Sequence, residues 1–217
     1  MTTLTAADGH TFDAYETGEG SKGIVVVQEI FGVNPHIRSV ADRAAQAGYR
    51  AIAPAFFDRV ERGVELGYDG DGMKAGVGYA SQLDWANTMT DLTAAIEHLR
   101  SEGVTSVGVV GFCWGGTTSW LAASSAPVQA AVGYYGGGVI GMIDKAPQVP
   151  TMLHFGALDA HIPLDGVQRV AEAHPDVPVH IYDDADHGFH CDARASYHEA
   201  SAKLAWQRTL DFFAENL

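Results

Sequence analysis

Three side chains have the types and the chain order of a nucleophilic hydrolase: Cys113, Asp159 and His187. Cys113 sits in Gly111-Phe112-Cys113-Trp114-Gly115-Gly116, after the strand-like run TSVGVVG and before the helical run TTSWLAASS. That is the strand, sharp turn and helix setting of a G-x-S-x-G elbow, with a thiol in place of the hydroxyl. The glycines have a steric reason: the nucleophile's backbone is strained, and neighbouring side chains would strike it or the adjacent strand. A thiol at a helix N-terminus also meets unpaired N–H groups and partial positive charge, which favour thiolate.

An elbow nucleophile takes its acid and its base from later in the chain, in that order. Asp159 lies just beyond the strand-like MLHF, and His187 lies beyond HIYDDA, so the order Cys113, Asp159, His187 is the one required. The N–H of Trp114 supplies one half of an oxyanion hole. The other half is expected from Ile30 in Glu29-Ile30-Phe31-Gly32, a loop after an earlier strand. Of the remaining candidates, His154 lies inside a strand and reads as structural, and His161 reads as a pocket residue. Asp183, Asp184 and Asp186 read as solvated loop acids. His187, His190, Cys191 and Asp192 lack the paired spacing of a metal site, so no metal is expected. Gly136-x-Gly138-x-x-Gly141 matches a dinucleotide fingerprint, but it comes late in the chain and Pro147 blocks a long helix after it. No cofactor is expected.

The elements that must position these groups alternate along the chain. Gly23–Gln28 (GIVVVQ) is apolar and β-branched without alternation, as in a strand covered on both faces. Similar runs recur at Arg50–Ala53, Val104–Val110, Val128–Tyr134, Val149–His154 and Val179–Tyr182, and an Asp8-Gly9 turn predicts an antiparallel pair at the N-terminus. Trp85, Met89, Leu92, Ile96 and Leu99 fall on one helical face, as do Trp206, Leu210, Phe213 and Leu217. The expectation is one α/β domain over residues 1–217: an α/β-hydrolase fold with a mostly parallel central sheet and helices on both faces. The Gly-rich, charged stretch from Phe57 to Ser81 reads as an irregular loop or cap over the site.

Composition narrows the partners. Of 217 residues 47% are hydrophobic, enough for one substantial core, and the formal net charge of −14 rests on only 13 Lys+Arg with no basic run. Nucleic acid and anionic membrane are therefore not expected as partners, and an anionic substrate would need a local cation. No run approaches a membrane span, MTTLTAADGH lacks the features of a secretory signal, and two cysteines are too few for a disulfide framework. A soluble cytoplasmic protein, monomeric or a small homo-oligomer, is the expectation.

VVVQEIFGVN (Val25–Asn34), VGFCWGG (Val110–Gly116), AVGYYGGG (Ala131–Gly138) and DADHGF (Asp184–Phe189) together resemble the dienelactone hydrolase family over nearly the whole chain. The resemblance implies hydrolysis of a small ester or lactone through a Cys-His-Asp triad and an acyl-cysteine. It also implies that Glu29 takes the Cys113 proton when substrate arrives. Family members bind a substrate carboxylate with two arginines. One position is Cys191 here and the other falls near Met73, with Lys74 adjacent, so neither arginine is present. Arg194, Lys74, Arg59 or Arg62 could substitute, which leaves authentic dienelactone hydrolysis in aromatic degradation as an alternative to a neutral ester or lactone substrate. A non-catalytic binding protein is a third reading. Phe31, Tyr134, Tyr135 and Phe189 are expected to line an apolar pocket, with Cys191 and Lys74 beside them.

Overall fold

The strands inside the sheet whose sequences read as continuous apolar runs are covered on both faces, whereas Val179–Tyr182, at the sheet's edge, leaves Ile181 exposed. In the computed structural model, which describes residues 1–217, β1 (Thr2–Thr5), β2 (Thr11–Thr17), β3 (Lys22–Val27) and β4 (Arg50–Pro54) form one half of the sheet. The other half is β5 (Ser106–Phe112), β6 (Ala130–Tyr134), β7 (Thr151–Gly156) and β8 (Val179–Tyr182). All eight join one sheet in the order β1-β2-β4-β3-β5-β6-β7-β8. The β1–β2 and β2–β4 pairs are antiparallel and every other pair is parallel. The N-terminal pair turns at Gly9, whose φ of 86° suits glycine.

Because side chains alternate across a strand, β3 divides its core residues between two layers. Ile24 and Val26 join Ile37, Val40 and Ala44 of α1 (Pro35–Gln46) and Phe212 and Phe213 of α6 (Glu199–Asn216). Val25 and Val27 join Leu92, Ile96 and Leu99 of α3 (Trp85–Ser101) and Ala122 and Ala123 of α4 (Trp114–Ser125). Between them these two clusters are the core. Helix α5 (Leu164–Ala173) adds Val167 and Val170 to the first.

The 57–81 stretch is not irregular throughout. A 3-10 turn at Phe56–Arg59 leads to a helix, α2 (Gly70–Ala80), that its four glycines, three of them interior, hide from sequence reading. Asp69 starts it by accepting from Gly72 N–H at 2.8 Å. Those glycines allow close approach: a Cβ on Gly76 would lie 2.1 Å from the Ile30 carbonyl oxygen, and one on Gly72 would lie 2.0 Å from that of Gly67. A cap helix therefore rests directly on the loop after β3. No helix is long and apolar enough to cross a membrane.

Strand order places the site. The chain leaves β3 towards β4 on one side and returns to β5 on the other, so the carboxyl ends of β3 and β5 open a crevice where the winding reverses. Glu29-Ile30 follows β3 and Cys113 follows β5.

Candidate active site

Cys113 occupies the turn between β5 and α4 with φ 56° and ψ −114°, a conformation costly for any side chain but glycine. Its N–H donates to the Tyr134 carbonyl at 3.0 Å, and its carbonyl accepts from Gly116 and Thr117 as the helix begins. The flanking glycines are sterically required. A Cβ on Gly111 would meet the Gly115 oxygen at 1.9 Å, one on Gly115 the Gln28 and Val27 oxygens at 2.5 Å, and one on Gly116 the Tyr134 oxygen at 2.3 Å. The tight turn is thus wedged between the ends of β3 and β6, and the thiol is aimed outward. The glycines of the dinucleotide-like run serve the same wedge: a Cβ on Gly136 would lie 2.7 Å from Thr117 N.

His187 and Asp159 meet from different loops. Ala157 and Leu158 donate to the Tyr182 and Ala185 carbonyls, both at 2.9 Å, which ties the loop after β7 to the loop after β8. Asp159 Oδ2 then lies 2.7 Å from His187 Nδ1, and Oδ1 accepts from His161 N–H at 2.9 Å. The Asp159 side chain is sealed from solvent. Burial works against a charge on His187, but the bond to Asp159, and after it the Cys113 sulfur, outweigh burial and raise its pKa to about 10. A deep imidazole without such a partner behaves oppositely. His154, bonded to Tyr182 and Thr209 inside β7, is held well below its usual range by burial.

Cys113 and His187 line a cavity of about 420 Å³. Its apolar walls are Ile30, Phe31 and Trp114, with Met73 and Val77 of α2 and Trp85 at the start of α3; Trp85 stacks on Trp114 at 5.7 Å. His161, Thr117 and Arg194 are among its polar lining. Neither Ile30 N–H nor Trp114 N–H donates a hydrogen bond inside the protein, so both backbone donors are free for an oxygen anion.

Several expected pocket residues stand elsewhere. Phe31 lines the cavity, whereas Tyr134, Tyr135 and Phe189 are fully buried in the core behind it, where the sheet and α6 exclude them from the opening. Lys74 is exposed on α2 and does not line the cavity, whereas Met73 beside it does, with its side chain still partly open to solvent. Cys191 is fully buried, because the chain turns there: Cys191 N–H donates to Gly188 and Arg194 N–H to Cys191. That turn points the thiol inward and brings Arg194 back over the cavity. Gly188, with φ 78°, makes room for it, since a Cβ there would lie 2.5 Å from Arg194 Nη1. Arg59 is committed to Asp91 and Asp8, and Arg62 to Thr11, so neither substitutes. The wall residues Met73, Val77 and Trp85 escaped sequence reading as pocket residues. For the two on α2 the signal is the i, i+4 pair Gly72 and Gly76, which marks a helix face pressed to a neighbour.

Glu29 is wholly buried behind Arg194, whose guanidinium reaches Glu29 Oε1 at 3.4 Å and lies over the rings of Phe31 and Tyr68 at 5.8 and 5.7 Å. Its second oxygen has no partner. Burial, then the Glu29 charge, push the Cys191 thiol up to about 12. The residues of the weak metal pattern do not converge: His187 is with Asp159, and His190 stacks on Phe112 at 5.0 Å.

The profile of the dienelactone hydrolase family matches residues 11–217. A relative from Synechocystis sp. is 38% identical over 212 residues, 89% of this chain and 86% of its own. The carboxymethylenebutenolidase of Pseudomonas putida is 35% identical over 219 residues, 95% of this chain and 92% of its own. The crystal structure of a Klebsiella pneumoniae protein superposes with a TM-score of 0.85 at 34% identity, covering 98% of this chain and 97% of that one.

Proposed function

The chain belongs to the dienelactone hydrolase family and is a carboxylic ester hydrolase of the ester- and lactone-cleaving type, and from that premise we propose that Cys113 is its nucleophile, with His187 and Asp159 completing the triad. The observation that carries this is the 2.7 Å bond from Asp159 to His187 beside a thiol held at a strained elbow.

In this reading Glu29 takes the proton of the Cys113 thiol, and sulfur attacks the carbonyl carbon. The oxygen gains the negative charge and accepts from Ile30 and Trp114 N–H. The C–O bond to the leaving alkoxide breaks as His187 delivers its Nε2 proton, leaving an acyl-cysteine and a free alcohol, or for a lactone the opened hydroxy end of the same molecule. Neutral His187 next accepts a proton from water as the oxygen attacks the acyl carbon. Collapse expels the thiolate, which regains its proton from Glu29, and the net reaction is addition of one water across the ester. A His187 charged at rest suits the donor role in the first half.

One observation favours a substrate that carries a carboxylate: Arg194 lines the cavity and is held to Glu29 by a single contact. A ligand carboxylate would compete for that guanidinium and release Glu29 towards the thiol. The carboxymethylenebutenolidase reaction named for the Pseudomonas putida relative fits such a substrate. The reading expects a monomer or small homo-oligomer acting on a small molecule, without cofactor, in a reducing compartment such as the cytoplasm, where both thiols stay free.

The test is mass spectrometry after mixing with an activated ester, in parallel with turnover of a dienelactone and of a neutral lactone. A stoichiometric acyl adduct on Cys113 that Cys113→Ala abolishes is expected. An adduct on another residue, or hydrolysis undiminished in Cys113→Ala, would remove Cys113 as the nucleophile. A neutral lactone turned over as well as the dienelactone would remove Arg194 from substrate recognition.

A further inference from the structure

Behind the cavity wall, three different metal-binding side chains converge from three parts of the chain. Glu29 from the loop after β3, His36 from the first turn of α1 and Cys191 from the loop after His187 each offer a donor atom, all within 4.8 Å of one another, and all three residues are buried. Two of those side chains carry atoms that the protein leaves without a partner: Glu29 Oε2 and His36 Nε2. Their side chains are 0% and 1% exposed, so water from the surface does not satisfy them either. The other nitrogen of His36, Nδ1, lies 3.3 Å from Asp192 Oδ1. A carboxylate on one imidazole nitrogen fixes the ring and its tautomer, leaving the opposite nitrogen as an acceptor, which is how histidines that ligate metals are held.

We propose that Glu29, His36 and Cys191 form a binding site for a divalent metal of borderline softness, Zn²⁺ above all. The donor set selects the metal. Thiolate and imidazole favour zinc and cobalt over magnesium and calcium, which prefer all-oxygen cages. Zinc bonds of about 2.3 Å to sulfur and about 2.0 Å to nitrogen or oxygen place the tetrahedral donors of such a set about 3.3–3.5 Å apart. The cluster thus closes on an ion by side-chain shifts of about an ångström. Binding displaces the Cys191 proton to solvent, since a coordinating thiol is deprotonated. Arg194 holds Glu29 by Oε1 and leaves Oε2 for the metal. The route in is a surface hollow lined by Tyr68, Ala193, Arg194 and Ser196, beside the guanidinium that holds Glu29.

The consequence for turnover rests on the catalytic reading above. A metal on Oε2 occupies the carboxylate that would take the Cys113 proton, so an occupied site slows hydrolysis. The site becomes a brake set by free zinc, formed at the position where Cys191 stands in place of the expected arginine.

The experiment is a titration of the whole protein, stripped by chelator and kept reduced, with Co²⁺ and then with competing Zn²⁺. It is read by the thiolate-to-cobalt charge-transfer absorption in the near ultraviolet, with ester hydrolysis followed in parallel. One equivalent of cobalt is expected to give the band, and zinc to abolish it. The band persists in Cys113→Ser and disappears in Cys191→Ser. Asp192→Asn, on a side chain that is 70% exposed and so tolerant of change, is expected to weaken cobalt binding about tenfold by releasing the His36 ring. No band at millimolar cobalt, a band that follows Cys113 instead of Cys191, or an Asp192→Asn affinity equal to wild type would each overturn the site. The spectrum is independent of turnover. A Cys191-dependent band without inhibition would uphold the site and instead remove Glu29 from the catalytic reading.

Discussion

Asp159 and Glu29 each stand one residue back from the cavity, Asp159 behind His187 and Glu29 behind Arg194, and both carboxylates are sealed from solvent. Their settings differ. Asp159 has both oxygens engaged, at 2.7 Å with the imidazole and 2.9 Å with a backbone N–H. Glu29 has one contact at 3.4 Å, longer than the roughly 2.7–2.9 Å of a firm charge-assisted bond, and one oxygen with no partner. A carboxylate held at both oxygens is a fixed orienter. One held at a single loose contact can turn, and leaving its other oxygen buried and unpaired costs about 1–3 kcal/mol. Rigidity lies on the His187 side of the site and adaptability on the Arg194 side.

Changes on the two sides should break that contrast unequally. The largest effect lies between them: Cys113→Ala should lower kcat by about 10⁴-fold or more, since no acyl-enzyme can form, measured in steady-state hydrolysis. On the rigid side, Asp159→Asn should cost about 10³–10⁴-fold in kcat, because the imidazole loses its orientation. The same change should carry the His187 titration, followed by the NMR shift of its ring proton, from near 10 down to or below 6.5.

Stability follows with a definite sign. His187 has its pKa raised on folding, so its contribution is fully present below about 6.5 and is lost as pH climbs towards 10. Urea unfolding of the wild type should therefore weaken across that window, and Asp159→Asn should flatten the slope. A wild-type protein that is equally stable at both ends would deny the imidazole its charge.

On the adaptable side, Glu29→Gln should cost about 10²-fold in kcat, the low end for a general base, and leave the His187 titration in place. If it moved that titration as far as Asp159→Asn does, the two carboxylates would belong to one network and the contrast would fail. The smallest effect belongs to Arg194→Gln. It should raise KM about tenfold for a substrate bearing a carboxylate and change KM for a neutral ester little, the loss of one charge-assisted pair at a partly wet site.

Much of the site was legible because its residues are constrained locally. The elbow is readable since Gly111, Gly115 and Gly116 are the only residue type that fits 1.9–2.5 Å from neighbouring carbonyl oxygens. Asp159 and His187 are readable since each follows a strand by a few residues and the chain order is set by topology. Helix α2 was not legible, because four glycines erase the periodicity that marks a helix, and its packing on Ile30 depends on one of them, Gly76. The aromatic residues near the elbow were misplaced for a related reason. Composition says that Tyr134, Tyr135 and Phe189 will be buried, but not whether a core or a cavity buries them.

The chain by itself determined a doubly covered, mostly parallel sheet and the kind of chemistry at its carboxyl edge, because strand patterning and an elbow turn are properties of neighbouring residues. Which cation faces the substrate was decided only by the tertiary structure. Sequence counting put Cys191 in the arginine's place, yet the turn from Gly188 to Arg194 buries that thiol and swings the guanidinium over the cavity. A reversal of side-chain direction within three residues depends on what the loop packs against, here Phe31, Tyr68 and Glu29, and those neighbours come from more than 120 positions away along the chain.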